Sequence, residues 1–162
     1  MAKKSQKKPR LSKTAAEVVA KRVNLVEILL LSNQAVTNKL QRASPPAEFG
    51  TTVRVDATSE TIKDPDGRAI QMVSIQVNFF LQAKSEVESK EPNLSLQCEY
   101  VALYNASGDK GFTESQLVSY AKQYALHDLW PYFSEYVHMT TVRMGMPPLR
   151  MPLFNRLNLE AD

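Results

Sequence analysis

The stretch AIQMVSIQVNFFLQAKS, residues 69–85, decides the fold. Val73, Ile75, Val77, Phe79, Leu81 and Ala83 take every second position, while Ser74, Gln76, Asn78 and Gln82 fill most of the gaps. Side chains of a strand alternate between faces, so this pattern predicts one buried face and one wet face. LSLQCEYVALY, 94–104, repeats it, with Leu94, Leu96, Cys98, Tyr100 and Ala102 on one side. Parallel strands are covered on both faces, so one-sided strands indicate an antiparallel sheet.

Two more strands lie upstream. TTVRVDATS, 51–59, alternates at Val53, Val55 and Ala57, and VNLVEILLLSNQAV, 23–36, is rich in Val, Ile and Leu. QRASPPAEFG, 41–50, holds a Pro-Pro and a Gly and reads as a connection. KDPDG, 63–67, reads as a turn, with Gly67 available for positive φ. Helices follow only after the strands. Thr113 and Gln116 form a capping box, and Leu117, Tyr120, Ala121 and Tyr124 then share one helical face. A second helix is expected from Pro131 to Arg143, with Phe133, Tyr136, Val137 and Thr140 as its stripe and Gly145 as its stop. Strands followed by helices, without βαβ alternation, place the chain in the α+β class.

At 162 residues the chain suits one domain with a real core. No apolar run reaches the roughly 18 residues that a membrane span needs, so membrane insertion is not expected. Cys98 is the single cysteine, which excludes an internal disulfide and a thiolate-built zinc site and points to a reducing, cytoplasmic setting. Charge is uneven. Residues 1–22 hold eight basic side chains and only Glu17 as an acid, a net +7 against −4 for the remainder. They are expected to form a disordered basic arm, although TAAEVVAKRV, 14–23, can make a short helix with Thr14 as N-cap and Glu17 in the capping-box position. Such arms grip phosphates or simply keep a protein soluble. Nucleic-acid binding through the arm is the weaker reading, because it has no aromatic on which a base could stack.

LHDLWPYFSEYVHMTTVRMGMPPL, 126–149, gathers both histidines, the only tryptophan and three methionines. Glu135 and His138 stand at Glu-x-x-His spacing, but no second copy or further inward glutamates join them. His127 and Asp128 are adjacent, and neighbours in sequence point apart. No GxSxG, P-loop or GxGxxG motif occurs. No catalytic residue, metal ligand or cofactor site is assigned, and the chain is not expected to be an enzyme. Aromatic and Met-rich residues continue through MGMPPLRMPLFNRLNL, 144–159, without periodicity. They either cover a sheet edge or form an interaction surface of the adaptable kind that methionine favours.

Leu129, Pro131, Tyr132 and Glu135, then Arg143, Pro147 and Leu149, and Pro152 with Asn155 resemble the helix signature of the SecB protein-export chaperones. TESQLVSYAKQYALHDL is similar to that family's first helix, and SPPAEF, 44–49, to its crossover segment. The resemblance spans most of residues 23–155 and is strongest over 114–155. It implies a SecB-like chaperone domain over 23–162, built as a four-stranded antiparallel Greek-key sheet with C-terminal helices packed on one side. It further implies a homotetramer, a dimer of dimers joined through edge strands and the first helix, with Leu117, Tyr120 and Tyr124 in subunit contact. The implied activity is ATP-independent binding of unfolded or precursor polypeptides in apolar grooves, with no cofactor, for export or hand-over. Phe49, Trp130, Leu149, Met151, Leu153 and Phe154 would line such a groove. Family members also dock the SecA motor through acidic residues on the sheet. Here the first strand offers only Glu27, and the basic arm departs from the pattern. A chaperone dedicated to the antitoxin of a toxin–antitoxin pair is the alternative that these departures suggest.

Overall fold

A computed structural model of the chain describes residues 13–37, 48–84, 92–108 and 110–154. In chain order the elements are α1 (Lys13–Ala20), β1 (Val23–Thr37), β2 (Glu48–Lys63), β3 (Ala69–Lys84), β4 (Leu94–Ala106), α2 (Glu114–Tyr120), a π-helical turn (Ala121–Ala125) and α3 (Leu126–Arg143). The strands form one antiparallel sheet in the order β1-β4-β3-β2. β2, β3 and β4 make a meander, and β1 lies beside β4. The chain therefore crosses from one sheet edge to the other between β1 and β2, which gives the expected Greek key.

Period two sets the core. Val73, Ile75, Val77, Phe79, Leu81 and Ala83 of β3 are sealed, as are Leu94, Leu96, Cys98, Tyr100, Ala102 and Tyr104 of β4. Leu117, Tyr120, Ala121, Leu126, Leu129, Phe133 and Val137 from the helices complete the same cluster, so the helices cover one face of the sheet. Thr113 caps α2 as anticipated, with Gln116 N–H donating to its hydroxyl at 3.3 Å and Thr113 N–H donating to the Gln116 side chain at 2.9 Å. Gly67 and Gly145 hold φ of 79° and 70°, the left-handed region that their turn and helix stop require.

Three features depart from expectation. First, Lys13–Ala20 fold as α1, packed on α2 with Ala16 and Val19 fully buried, so the folded body starts before Val23. Arg22 helps to hold it there. Its guanidinium donates to the carbonyls of Ser107 at 2.7 Å and Lys110 at 2.6 Å, and lies 4.4 Å from the Phe112 ring centroid. Residues 1–12 of the arm lie outside the described residues. Second, β2 begins at Glu48 and takes in Phe49 and Gly50, which composition had assigned to the connection. Third, α3 does not begin at Pro131. It runs on from α2 through the π turn, with Pro131 inside it. An interior proline costs the bond to the carbonyl four residues earlier. That carbonyl belongs to His127, and both residues are exposed. An uninterrupted α-helix continued from Leu117 would turn Asp128, Pro131 and Glu135 toward the sheet. The wider turn shifts the phase so that Leu129, Phe133 and Val137 face inward instead.

Candidate polypeptide-binding surface

Beyond Gly145 the chain turns back along α3 as a strap and is pinned at two points. Thr141, fully buried, donates its hydroxyl to the carbonyls of Val137 and His138 at 3.0 Å each and accepts Leu149 N–H at 3.1 Å. One α-helical residue thus satisfies the backbone of a segment that has no regular structure. Farther on, the Trp130 indole N–H donates to the Pro152 carbonyl at 3.0 Å. Phe154 then lies 5.1 Å from Trp130 and meets His127 edge-on at 6.3 Å.

These contacts build a ladder of rings that leads from the core to the surface. Phe79 and Phe133 stack at 4.5 Å and 9°. Trp130 contacts both, at 6.1 and 5.5 Å, and carries the series on to Phe154. Phe79 and Phe133 are fully buried, whereas Trp130 and Phe154 are half-buried. Phe49 reaches the same cluster from the start of β2, and Met151 from the strap. Leu153 is 96% exposed beside Phe154. Phe49, Trp130, Met151 and Phe154 are thus half-buried against one core, with Leu153 open to water next to them. Leu149 differs: at 7% exposed it anchors the strap and offers little to a ligand. Leu117 and Tyr120, at 3% and 5%, are sealed within the subunit, while Tyr124 stacks on Tyr120 at 5.5 Å and is half-buried.

The polar groups nearby do not assemble a reactive centre. Asp128 accepts the Tyr104 hydroxyl at 3.3 Å, on the core side, while His127 turns to Phe154. Among the described residues no three His, Cys, Asp or Glu side chains come together as metal ligands. Burial pushes the Cys98 thiol up to about 12, against a smaller opposing pull from its hydrogen bond with Tyr100. A thiol so held is a poor nucleophile.

Two further apolar features escaped the sequence reading. β1 is an edge strand whose Leu25, Val26, Leu29, Leu30, Leu31 and Val36 are all exposed, with Leu31 at 54%. Alternation fails there because apolar side chains stand on both faces and at two register shifts, between Leu25 and Glu27 and between Leu30 and Ser32. On α3, Tyr132, Met139 and Val142 form an exposed stripe at helical spacing. The run LLL at 29–31 was the available signal for the first feature.

The fold is that of a solved SecB-like chaperone, and the chain is similar in sequence to proteins of that name. The chain is 26% identical over 152 residues to the SecB-like chaperones Rv1957 and MT2006 of two Mycobacterium tuberculosis strains, matching 85% of this chain and 81% of each relative. A solved structure of Mycobacterium tuberculosis Rv1957, in complex with a ChAD peptide from the Rv1956 HigA1 antitoxin, superimposes with a TM-score of 0.63. It is 24% identical and covers 88% of this chain and 97% of that one. No family model matches the chain.

Proposed function

We propose that this chain is an ATP-independent chaperone that binds unfolded polypeptide on the strap-side surface and keeps it non-native for hand-over or export. The observation that carries the reading is the ring ladder, closed at Phe79 and open at Trp130 and Phe154, with Leu153 bare beside it. Apolar side chains of an unfolded chain gain about 25 cal/mol per Å² when they cover such a surface. A folded client hides those side chains and is ignored. No nucleotide is needed, and the sequence has no phosphate-binding loop.

A client dedicated to this chaperone, an antitoxin, is the favoured special case. Its support is the solved relative of the same fold, which holds an antitoxin peptide. Docking to SecA is the competing role. The subunits assemble as a tetramer in this reading, with the exposed row on β1 and the stripe on α3 as the contact surfaces. They replace Leu117 and Tyr120, which one subunit already buries.

The test is suppression of aggregation of a chemically unfolded client, without nucleotide, by the parent protein and by Leu153→Asp combined with Phe154→Asp. Burial of such side chains is worth roughly 1.5–3 kcal/mol each, so client affinity should fall at least about a hundredfold. Undiminished protection would remove this surface from the account. Leu149→Asp is a poor probe, because a carboxylate at that buried position would unseat the strap.

A further inference from the structure

The helices cover one face of the sheet, and no described helix packs on the other. That open face carries mainly amides and hydroxyls: Ser74, Gln76, Asn78 and Gln82 on β3, Ser95 and Gln97 on β4. Phe80 breaks the pattern. It stands between Asn78 and Gln82, opposite Thr52 on β2 and Gln97 on β4, and its ring is only half-buried. A lone surface ring is ordinary, but this one forms the floor of a hollow.

The hollow measures about 500 Å³ and lies over the start of β2 and the end of β3. Gly50 opens it, since a Cβ there would meet nothing within 4 Å. Thr52, Arg54, Gln82 and Lys84 stand around the ring, and no acid lines the space. A second hollow of about 220 Å³ continues past Phe80 to Ser95 and Gln97 on β4. Arg54 makes no ion pair among the described residues, and its guanidinium lies 5.4 Å from the Phe80 centroid. The acids of this face stand elsewhere or are engaged. Glu27 and Glu60 lie toward the opposite end of the sheet. The Glu99 carboxylate accepts hydrogen bonds from Ser32 and Gln76. Asp56 follows Arg54 on the same face, outside the lining.

We propose that this trough docks a short acidic peptide segment of a partner protein, with a carboxylate held by Arg54 and Lys84 and an apolar side chain laid on Phe80. A guanidinium pairs two-pronged with a carboxylate. Gln82 and Gln97 offer donors and acceptors to the backbone of the segment. The two hollows cross three strands, roughly 10 Å, which is about three to four extended residues. Nucleic acid fits less well. One ring is a single stacking platform, and Asp56, Glu60 and Glu27 repel phosphates along the rest of the face. The trough lies on the opposite face of the sheet from the strap, so the inference goes beyond polypeptide capture and does not depend on it.

The experiment uses the full chain at low salt and a fluorescent peptide of about five residues, a leucine with acids on both sides, read by anisotropy. A twin carries amides in place of the acids and should bind at least about tenfold more weakly. Arg54→Gln with Lys84→Gln should weaken the acidic peptide by at least about tenfold; both side chains reach solvent, so the fold stays intact. The basic arm also attracts acids. Lys7→Gln with Lys8→Gln removes the same charge there and should change binding by less than about twofold. Replacing the leucine of the peptide by serine should cost at least about threefold. Equal binding of the acidic and amide peptides, equal losses in the trough and arm variants, or indifference to the leucine overturns the proposal. Leu153→Asp with Phe154→Asp should leave this peptide bound within about twofold of the parent, so failure here and failure of polypeptide capture are read separately.

Discussion

At the scale of single residues, Thr141 and Cys98 show how much of this fold depends on groups without chemistry of their own. Thr141 lies in α3 with no exposure, and its hydroxyl is the partner of Leu149 N–H. Thr141→Val keeps the volume and leaves that N–H without a partner, at a cost of about 1–3 kcal/mol. Urea unfolding should register the loss, and amide exchange at Leu149 should accelerate. Cys98 is sealed between the sheet and the helices. A thiol reagent at mildly alkaline pH should leave the folded protein unmodified and label it at once in denaturant; labelling of the native protein would contradict the burial. Tyr136 and Trp130 make smaller ties, to the Gln34 carbonyl at 3.3 Å and the Pro152 carbonyl at 3.0 Å. Trp130 could be read from sequence as a surface aromatic or as core. It is both, because one ring edge packs on Phe133 while its N–H fastens the strap.

Elements divide according to how local their causes are. β3 and β4 are legible residue by residue, because burial on one face imprints period two and nothing interrupts it. The capping box at Thr113 is equally local. The π turn is not: AKQYA carries no residue that requires it. Its cause is the mismatch between the inward faces of α2 and α3, which exists only once both lie on the sheet. In sequence Pro131 reads as a helix start for the same reason, since a proline inside a helix is tolerated only where its surroundings allow. Deleting Gln123 should turn the wide turn into an ordinary one and keep the phase of α3, because Leu129 would then follow Leu117 by eleven residues, about three α-helical turns. Leu129, Phe133 and Val137 would stay in the core, and circular dichroism should report a cooperative melt that persists; loss of that melt would show that the wide turn does more than set the phase. β1 was legible as a strand but not as a bare edge, because apolar side chains on both faces suit a buried strand and a subunit contact equally well. If β1 carries the proposed subunit contact, Leu29→Ser with Leu31→Ser should shift the protein toward smaller species in sedimentation velocity. A monomeric parent protein at micromolar concentration would exclude β1 as a subunit contact.

For the molecule as a whole, buried protonated groups set the response to pH. Burial raises Cys98 from 9.0 to about 12 and Tyr120 from 10.0 to about 12, and it raises Tyr100, Tyr104 and Tyr136 as well. Unfolding frees these groups to lose protons from about pH 9 upward, whereas the fold keeps them neutral. Above that pH the unfolded state binds fewer protons, so stability is intact below pH 9 and falls as pH climbs toward 12. Denaturation midpoints across that window should decline, and midpoints that stay level would contradict the burial. The proposed polypeptide capture also belongs to this scale, since it would draw on the ring ladder and the strap as one surface. The most direct test is a titration with one labelled client protein in two forms, permanently unfolded by reduction and alkylation, and native, in the absence of nucleotide. Saturable binding of the unfolded form alone is the predicted result; equal binding of both forms, or of neither, would contradict the account.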